Sequence, residues 1–166
     1  MALYFTSNTN AASPAQTSMS TAFKTALALT SQTAASGITL SRAFIYEFEV
    51  GASGTPNATD CGIVWEMSAV TATGTGVAMT VSALDQADAA TSHVSTANHP
   101  TIEPTYTASS QRWTLAANQR ASYRWVVNPG GPGEIVIPAT NVTGMGIRAK
   151  STNFNSTFDV GVYFRE

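Results

Sequence analysis

The sequence predicts an all-β chain, a jelly-roll-like β-sandwich with an N-terminal arm. Three observations carry that expectation. Phe158, Val160, Val162 and Phe164 alternate with Asp159, Gly161, Tyr163 and Arg165, the period of a strand with one buried face. Between residues 41 and 81, comparable runs recur with glycine-rich breaks between them, the spacing of a sandwich or jelly roll. Asn128-Pro129-Gly130-Gly131 supplies a type II turn between two apolar runs. There Pro129 presets φ at the second position and Gly130 takes the positive φ of the third.

At 166 residues the chain is sized for one domain that buries most of its surface without disulfides or metal. Only 11% of residues are charged, against roughly 25% in an ordinary globular domain. Ala, Thr, Ser and Gly fill the gap, and a surface solvated by hydroxyls and amides suits extracellular, extended or assembly proteins. Net charge is −2, and the six Arg and two Lys stand singly, so a nucleic-acid partner is not expected. No run of eighteen apolar residues occurs, so no membrane span is expected. The opening Met1-Ala-Leu-Tyr-Phe lacks a basic n-region and a long apolar core and does not fit a signal peptide. Cys61, the lone cysteine, reads as a small buried hydrophobe.

Residues 1–20 are expected to form a partly extended arm ahead of a single sandwich domain over 21–166. Leu3, Tyr4 and Phe5 make an apolar plug, followed by a polar run from Thr6 to Ser20 broken by Pro14. A first strand with a surface loop fits this pattern, and so does an arm whose apolar tip docks on a neighbour. Phe23–Thr30 fits a helical or a strand face, and the β character downstream favours strand. Phe44, Tyr46 and Phe48 alternate with Ile45, Glu47 and Glu49, and Ile63, Trp65 and Met67 alternate with Val64, Glu66 and Ser68. Val77, Met79 and Val81 share the next face. Asp85–Pro100 reads equally as a long surface loop or as one holding a short helical turn that starts near Ser82 or Asp85, and Tyr106 and Trp113–Leu115 read as two short strands. Arg120–Ile137 reads as a β-hairpin with Tyr123, Trp125 and Val127 on one face. Met145, Ile147 and Ala149 then oppose Arg148 and Lys150.

Chemistry-bearing motifs are sparse. His93 and His99 stand six residues apart without a cysteine or a second cluster at ligand spacing, so an exposed or partly packed pair is favoured over a metal site. No Gly-x-Ser-x-Gly elbow, dinucleotide loop or P-loop occurs. Glu47, Glu49 and Glu66 lie on expected strands, and solvated sheet residues are favoured over a glycosidase carboxylate pair. Asn57, Asn141 and Asn155 begin glycosylation sequons, read as coincidence in a Thr-rich chain. Trp65 and Trp125 read as core; Trp113, nearer a loop, is the candidate for an exposed aromatic platform. Neither an enzyme nor a cofactor is expected.

Beside this reading stands a resemblance. Asn118-Gln-Arg-Ala-Ser-Tyr-Arg-Trp-Val-Val, the Pro-Gly-Gly loop, Glu134-Ile-Val-Ile-Pro-Ala-Thr and Gly144-Met-Gly-Ile resemble small head proteins of tailed bacteriophages. Leu3-Tyr-Phe-Thr-Ser, Lys24-Thr-Ala-Leu-Ala-Leu-Thr and the ending Phe164-Arg-Glu are similar too. The resemblance implies a capsid decoration, or cement, protein: a β-sandwich or jelly-roll homotrimer on the outer capsid surface, bound to the major capsid protein. Leu3, Tyr4, Phe5 and Trp113 are the residues put forward for capsid or subunit contact. The alternative is a receptor- or carbohydrate-binding module on a virion, using Trp113 or the 85–100 loop.

Overall fold

Alternating apolar side chains need a second surface to bury against, and the chain supplies one as two antiparallel sheets. The computed structural model describes residues 1–9, 18, 20–34, 39–154 and 156–166. Among these residues the strands are β1 (Leu3–Ser7), β2 (Lys24–Ser31), β3 (Ala43–Ser53), β4 (Gly62–Ala72), β5 (Thr75–Met79) and β6 (Val81–Ala83). They continue as β7 (His93–Ile102), β8 (Thr105–Asn118), β9 (Tyr123–Val126), β10 (Ile135–Ile137), β11 (Gly144–Lys150) and β12 (Thr157–Arg165). The first sheet has the order β10–β3–β12–β1–β6, with β9 also on β3; the second runs β5–β7–β2–β11–β4–β8. Phe158, Val160, Val162 and Phe164 face inward, none more than 2% exposed, contributing roughly 6–12 kcal/mol as an upper bound. Trp65 of the second sheet meets Phe158 of the first at 5.3 Å between ring centres. The expected β-sandwich is present. Among the described residues no helix is long and apolar enough to cross a membrane.

Leu3, Tyr4 and Phe5 do not tip an arm. They lie in β1, hydrogen-bonded between β12 and β6. Period-two alternation divides the plug between two faces. Tyr4 turns inward, 3% exposed and stacked 5.2 Å from Phe164, while Phe5 turns outward against Tyr163 at 4.6 Å. Asn8 extends the ladder with its side chain, its Nδ2 donating to the Phe158 carbonyl and its Oδ1 accepting the Val160 N–H, both at 2.9 Å. The stem of the expected arm at 10–17, residue 19 and the Asn155 sequon lie outside the described residues.

Plain alternation also fails in β3. Ala43 and Ile45 face the core, then Phe48 and Val50, because a bulge absorbs one residue where the register on β12 shifts between Tyr163 and Phe164. Ile45 is therefore 1% exposed, and Phe44 faces out with the Arg165 guanidinium 4.0 Å from its ring centre.

The expected hairpin is instead one interrupted edge strand. β9 pairs with β3 from Val50 to Glu47, and β10 continues in the same direction from Ile45 to Ala43. Asn128–Gly131 does turn, with Gly130 at φ 82 and Gly131 N donating to the Asn128 carbonyl at 2.9 Å. A further positive φ of 103 at Gly133 lets the loop double back, so the two reversals cancel. The 127–134 segment is an excursion from a single edge.

Three other expectations change. Val77 and Met79 belong to the second sheet and Val81 to the first, with Thr80 as the corner. The 85–100 loop is shorter, since β7 begins at His93. Tyr106 and Trp113–Leu115 lie on one strand, β8, bent where Ser109 takes φ 57 and its register on β4 shifts.

Candidate functional site

The outer face of the first sheet carries a groove. Its floor is Gly51 on β3 and Gly161 on β12, where the sheet presents no side chains. One lobe, about 240 Å³, is walled by Ser7, Thr9, Glu49, Ser122 and Asp159. A second, about 310 Å³, shares Ser7, Thr9 and Glu49 and extends to Phe5, Thr80 and Ser82. A Cβ added at Gly161 would stand 2.9 Å from Glu49 Oε1 and 3.2 Å from Phe5 Cε2, so carboxylate and ring edge meet above the glycine. Asp159 accepts the Ser53 hydroxyl at 3.4 Å. Glu47, two residues along the same face, is held by Arg124 at 2.6 Å. The Glu49 carboxylate makes no hydrogen bond or close ion pair among the described residues, although Arg124 stands opposite it on β9 and feels its charge.

The outer face of the second sheet is closed. Arg148 donates to Glu66 Oε1 from Nη2 at 2.6 Å and from Nε at 3.1 Å. Its guanidinium lies 4.2 Å from the Tyr106 ring centre and 4.6 Å from that of Phe23. Tyr106 reaches across β11 over Gly146, where a Cβ would stand 2.8 Å from Cζ, and its hydroxyl bonds Thr25 Oγ1 at 2.8 Å. Glu66 is thus 7% exposed, not a solvated sheet residue. Burial alone would raise its pKa, but hydrogen bonds from Ser68 and Arg148 outweigh that and hold the carboxyl below its usual range. Burial pushes the Tyr106 phenol up.

Ser31, His93 and Glu166 come together in the manner of a nucleophilic triad. Ser31 Oγ lies 3.4 Å from His93 Nε2, and His93 Nδ1 lies 3.8 Å from Glu166 Oε2. The arrangement is a clasp. Ser31 is fully buried and donates its hydroxyl proton to the Pro138 carbonyl at 3.0 Å. Glu166 accepts from Ser92 N at 3.1 Å, from the Thr91 and Ser92 hydroxyls at 2.5 Å each, and from Ser41. Burial would raise the Glu166 pKa, but contacts from His93, Ser41, Ser92 and Thr91 hold it far below the carboxylate range. The clasp ties the end of β12 to the start of β7, joining the two sheets.

Both histidines are buried strand residues, correcting the exposed reading: His93 is 2% exposed and His99 3%. Burial lowers the His99 pKa, with the Glu103 carboxylate partly opposing it. Among the described residues no group of three or more His, Cys, Asp or Glu is arranged to hold a metal ion. Trp113 is half-buried at the corner between the sheets, edge-on to Phe48 at 4.9 Å and stacked on Tyr123 at 5.5 Å. Cys61 is half-buried, its thiol 3.3 Å from Gln119 Oε1.

A third feature is the β9–β10 edge. Val126 and Val136 are 55% and 41% exposed there. The loop between them is braced from beneath by Glu134, which takes Arg165 Nε at 2.7 Å and Nη2 at 2.6 Å and also accepts Gly130 N at 2.8 Å. The Arg165 bond is the main reason the Glu134 pKa is lowered.

Sequence reasoning passed over the groove, and the signal that could have found it is two glycines inside strands, which often mark a close approach. Comparison with protein-family models, with curated proteins and with solved structures finds no match for this chain.

Proposed function

We propose that the chain is a virion structural protein, a decoration or cement protein that binds the outer surface of a phage head and stabilises it. It acts as a homotrimer on the major capsid protein. The β9–β10 edge carries this reading. The stretch with the strongest resemblance to phage head proteins forms that edge, exposing Val126 and Val136 beside the braced 127–134 loop. A loop already held in place loses little freedom on docking, so its contacts are less offset by ordering costs. Three such contacts on one rigid trimer act together, because release requires all three to let go at once.

Expanded heads lacking this protein should take it up stoichiometrically and then release their genome at a higher temperature. Val126→Asp with Val136→Asp should abolish uptake while leaving the circular dichroism spectrum unchanged. If wild-type protein is not taken up, the reading fails. Sedimentation equilibrium checks the trimer, and a strict monomer removes the avidity argument.

The second reading, a receptor- or carbohydrate-binding module, draws on Trp113 stacked against the exposed Tyr123. Glycan-array binding that is lost in Tyr123→Ala would favour it.

A further inference from the structure

We propose that the groove over Gly51 and Gly161 is a docking slot for one arginine side chain of a protein partner. The molecule itself shows how such a site is filled. Glu66 lies beside Tyr106 and Phe23, and Arg148 of the same chain closes that site. Glu134 and the Phe44 ring share Arg165 in the same way. Glu49 is the carboxylate left without such a close partner; a second carboxylate, Asp159, stands on the groove wall, and Phe5 presents its ring edge, not its face, over Gly161. Arg124, opposite Glu49 in the pairing of β3 and β9, turns to Glu47 instead at 2.6 Å, so among the described residues no cation lies within ion-pair distance of the Glu49 carboxylate.

Shape selects arginine over lysine. Gly51 leaves floor on which a flat group can lie, since the nearest side-chain atom to a Cβ there would be Ser122 Cβ at 3.6 Å, and from that floor a guanidinium can fork to the Glu49 carboxylate that covers Gly161. Ser7, Thr9 and Ser122 on the walls can accept its remaining N–H groups. The lobes, about 240 and 310 Å³, sit at or below the lower end of ligand pockets, which suits a side chain better than an extended ligand. The assignment does not require the partner to be a capsid.

The test uses the full chain, ¹⁵N-labelled and titrated with N-acetyl-arginine amide. Saturable shifts are expected at the Gly51, Asp159 and Gly161 amides, weakening as salt is raised. N-acetyl-lysine amide should bind severalfold more weakly. Glu49→Gln should weaken arginine binding about tenfold, the loss of one good charge pair, and Gly161→Ala should weaken it severalfold by pushing the Glu49 carboxylate aside. No saturable shift at those amides, or an equal response from Glu49→Gln and wild type, overturns the proposal. So does maltose shifting the same amides where the arginine probe does not. Because the readout is local to the groove, failure of head uptake leaves this result intact, and the converse holds too.

Discussion

The outer faces of the two sheets use the same kinds of residue and finish differently. On the second sheet the carboxylate of Glu66 has its guanidinium, the guanidinium has two rings, and the gap at Gly146 is filled by Tyr106. On the first sheet Glu49 and Phe5 meet over Gly161, and the groove beside them stays open. A face that satisfies its own charges and fills its own gaps contributes stability and has little left to recognise. A face with the same ingredients left incomplete can be completed by another molecule.

The glycines break or confirm this contrast most sharply. A Cβ at Gly144 would stand 2.6 Å from Thr30 Cα and would also collide with the Leu29 carbonyl, so the backbone itself must move. Gly144→Ala is expected to cost more than about 3 kcal/mol in urea unfolding. At Gly161 the nearest atoms belong to the Glu49 side chain and Phe5. Glu49 can swing aside, and Gly161→Ala should cost less than about 1 kcal/mol. Equal costs would mean that the first sheet is packed as tightly as the second.

The ion pairs give the next largest difference. Glu66 and Arg148 side chains are 9% and 23% exposed, and Glu66→Gln strands a partly buried guanidinium, costing about 2 kcal/mol. Glu47→Gln on the first sheet should leave stability unchanged within error, because its partner Arg124 is 62% exposed and well solvated.

The pH profile sharpens the comparison least but is simplest to measure. His99 has a folded pKa below its ordinary 6.5. Glu66, Glu134 and Glu166 are held below 4.5. Groups lowered on folding contribute stability above their unfolded pKa and lose it as pH falls. Stability should therefore begin to decline near pH 6.5 and steepen below about 4.5. Glu66→Gln should make the lower limb shallower, and urea midpoints at pH 7, 5 and 3 will show it.

Much of the fold is legible wherever burial is one-sided and regular. Phe158–Phe164 and Met145–Ala149 alternate without interruption, and both lie as expected. Tyr46 marks the limit. One extra residue in β3 flips every later side chain without changing local composition, so the bulge is visible only through the partner's register. Asn128–Gly131 shows a similar limit. Its turn chemistry is correct, yet the chain's final direction depends on a second reversal at Gly133. The groove was hidden because Glu49, Asp159 and Phe5 lie on three strands distant in sequence. Only the pairing of β1 and β3 on either side of β12 brings them together.

An edge strand with exposed valines is ordinarily a template for unwanted sheet growth, since its outward N–H and C=O groups are unpaired. Here β9 offers four residues and β10 three, with the 127–134 loop standing between them. A foreign strand laid along this edge meets the loop before it can form a ladder of the usual length, roughly five to six residues. The interruption thereby hinders a second copy from extending the sheet along this edge, where Val126 and Val136 are exposed.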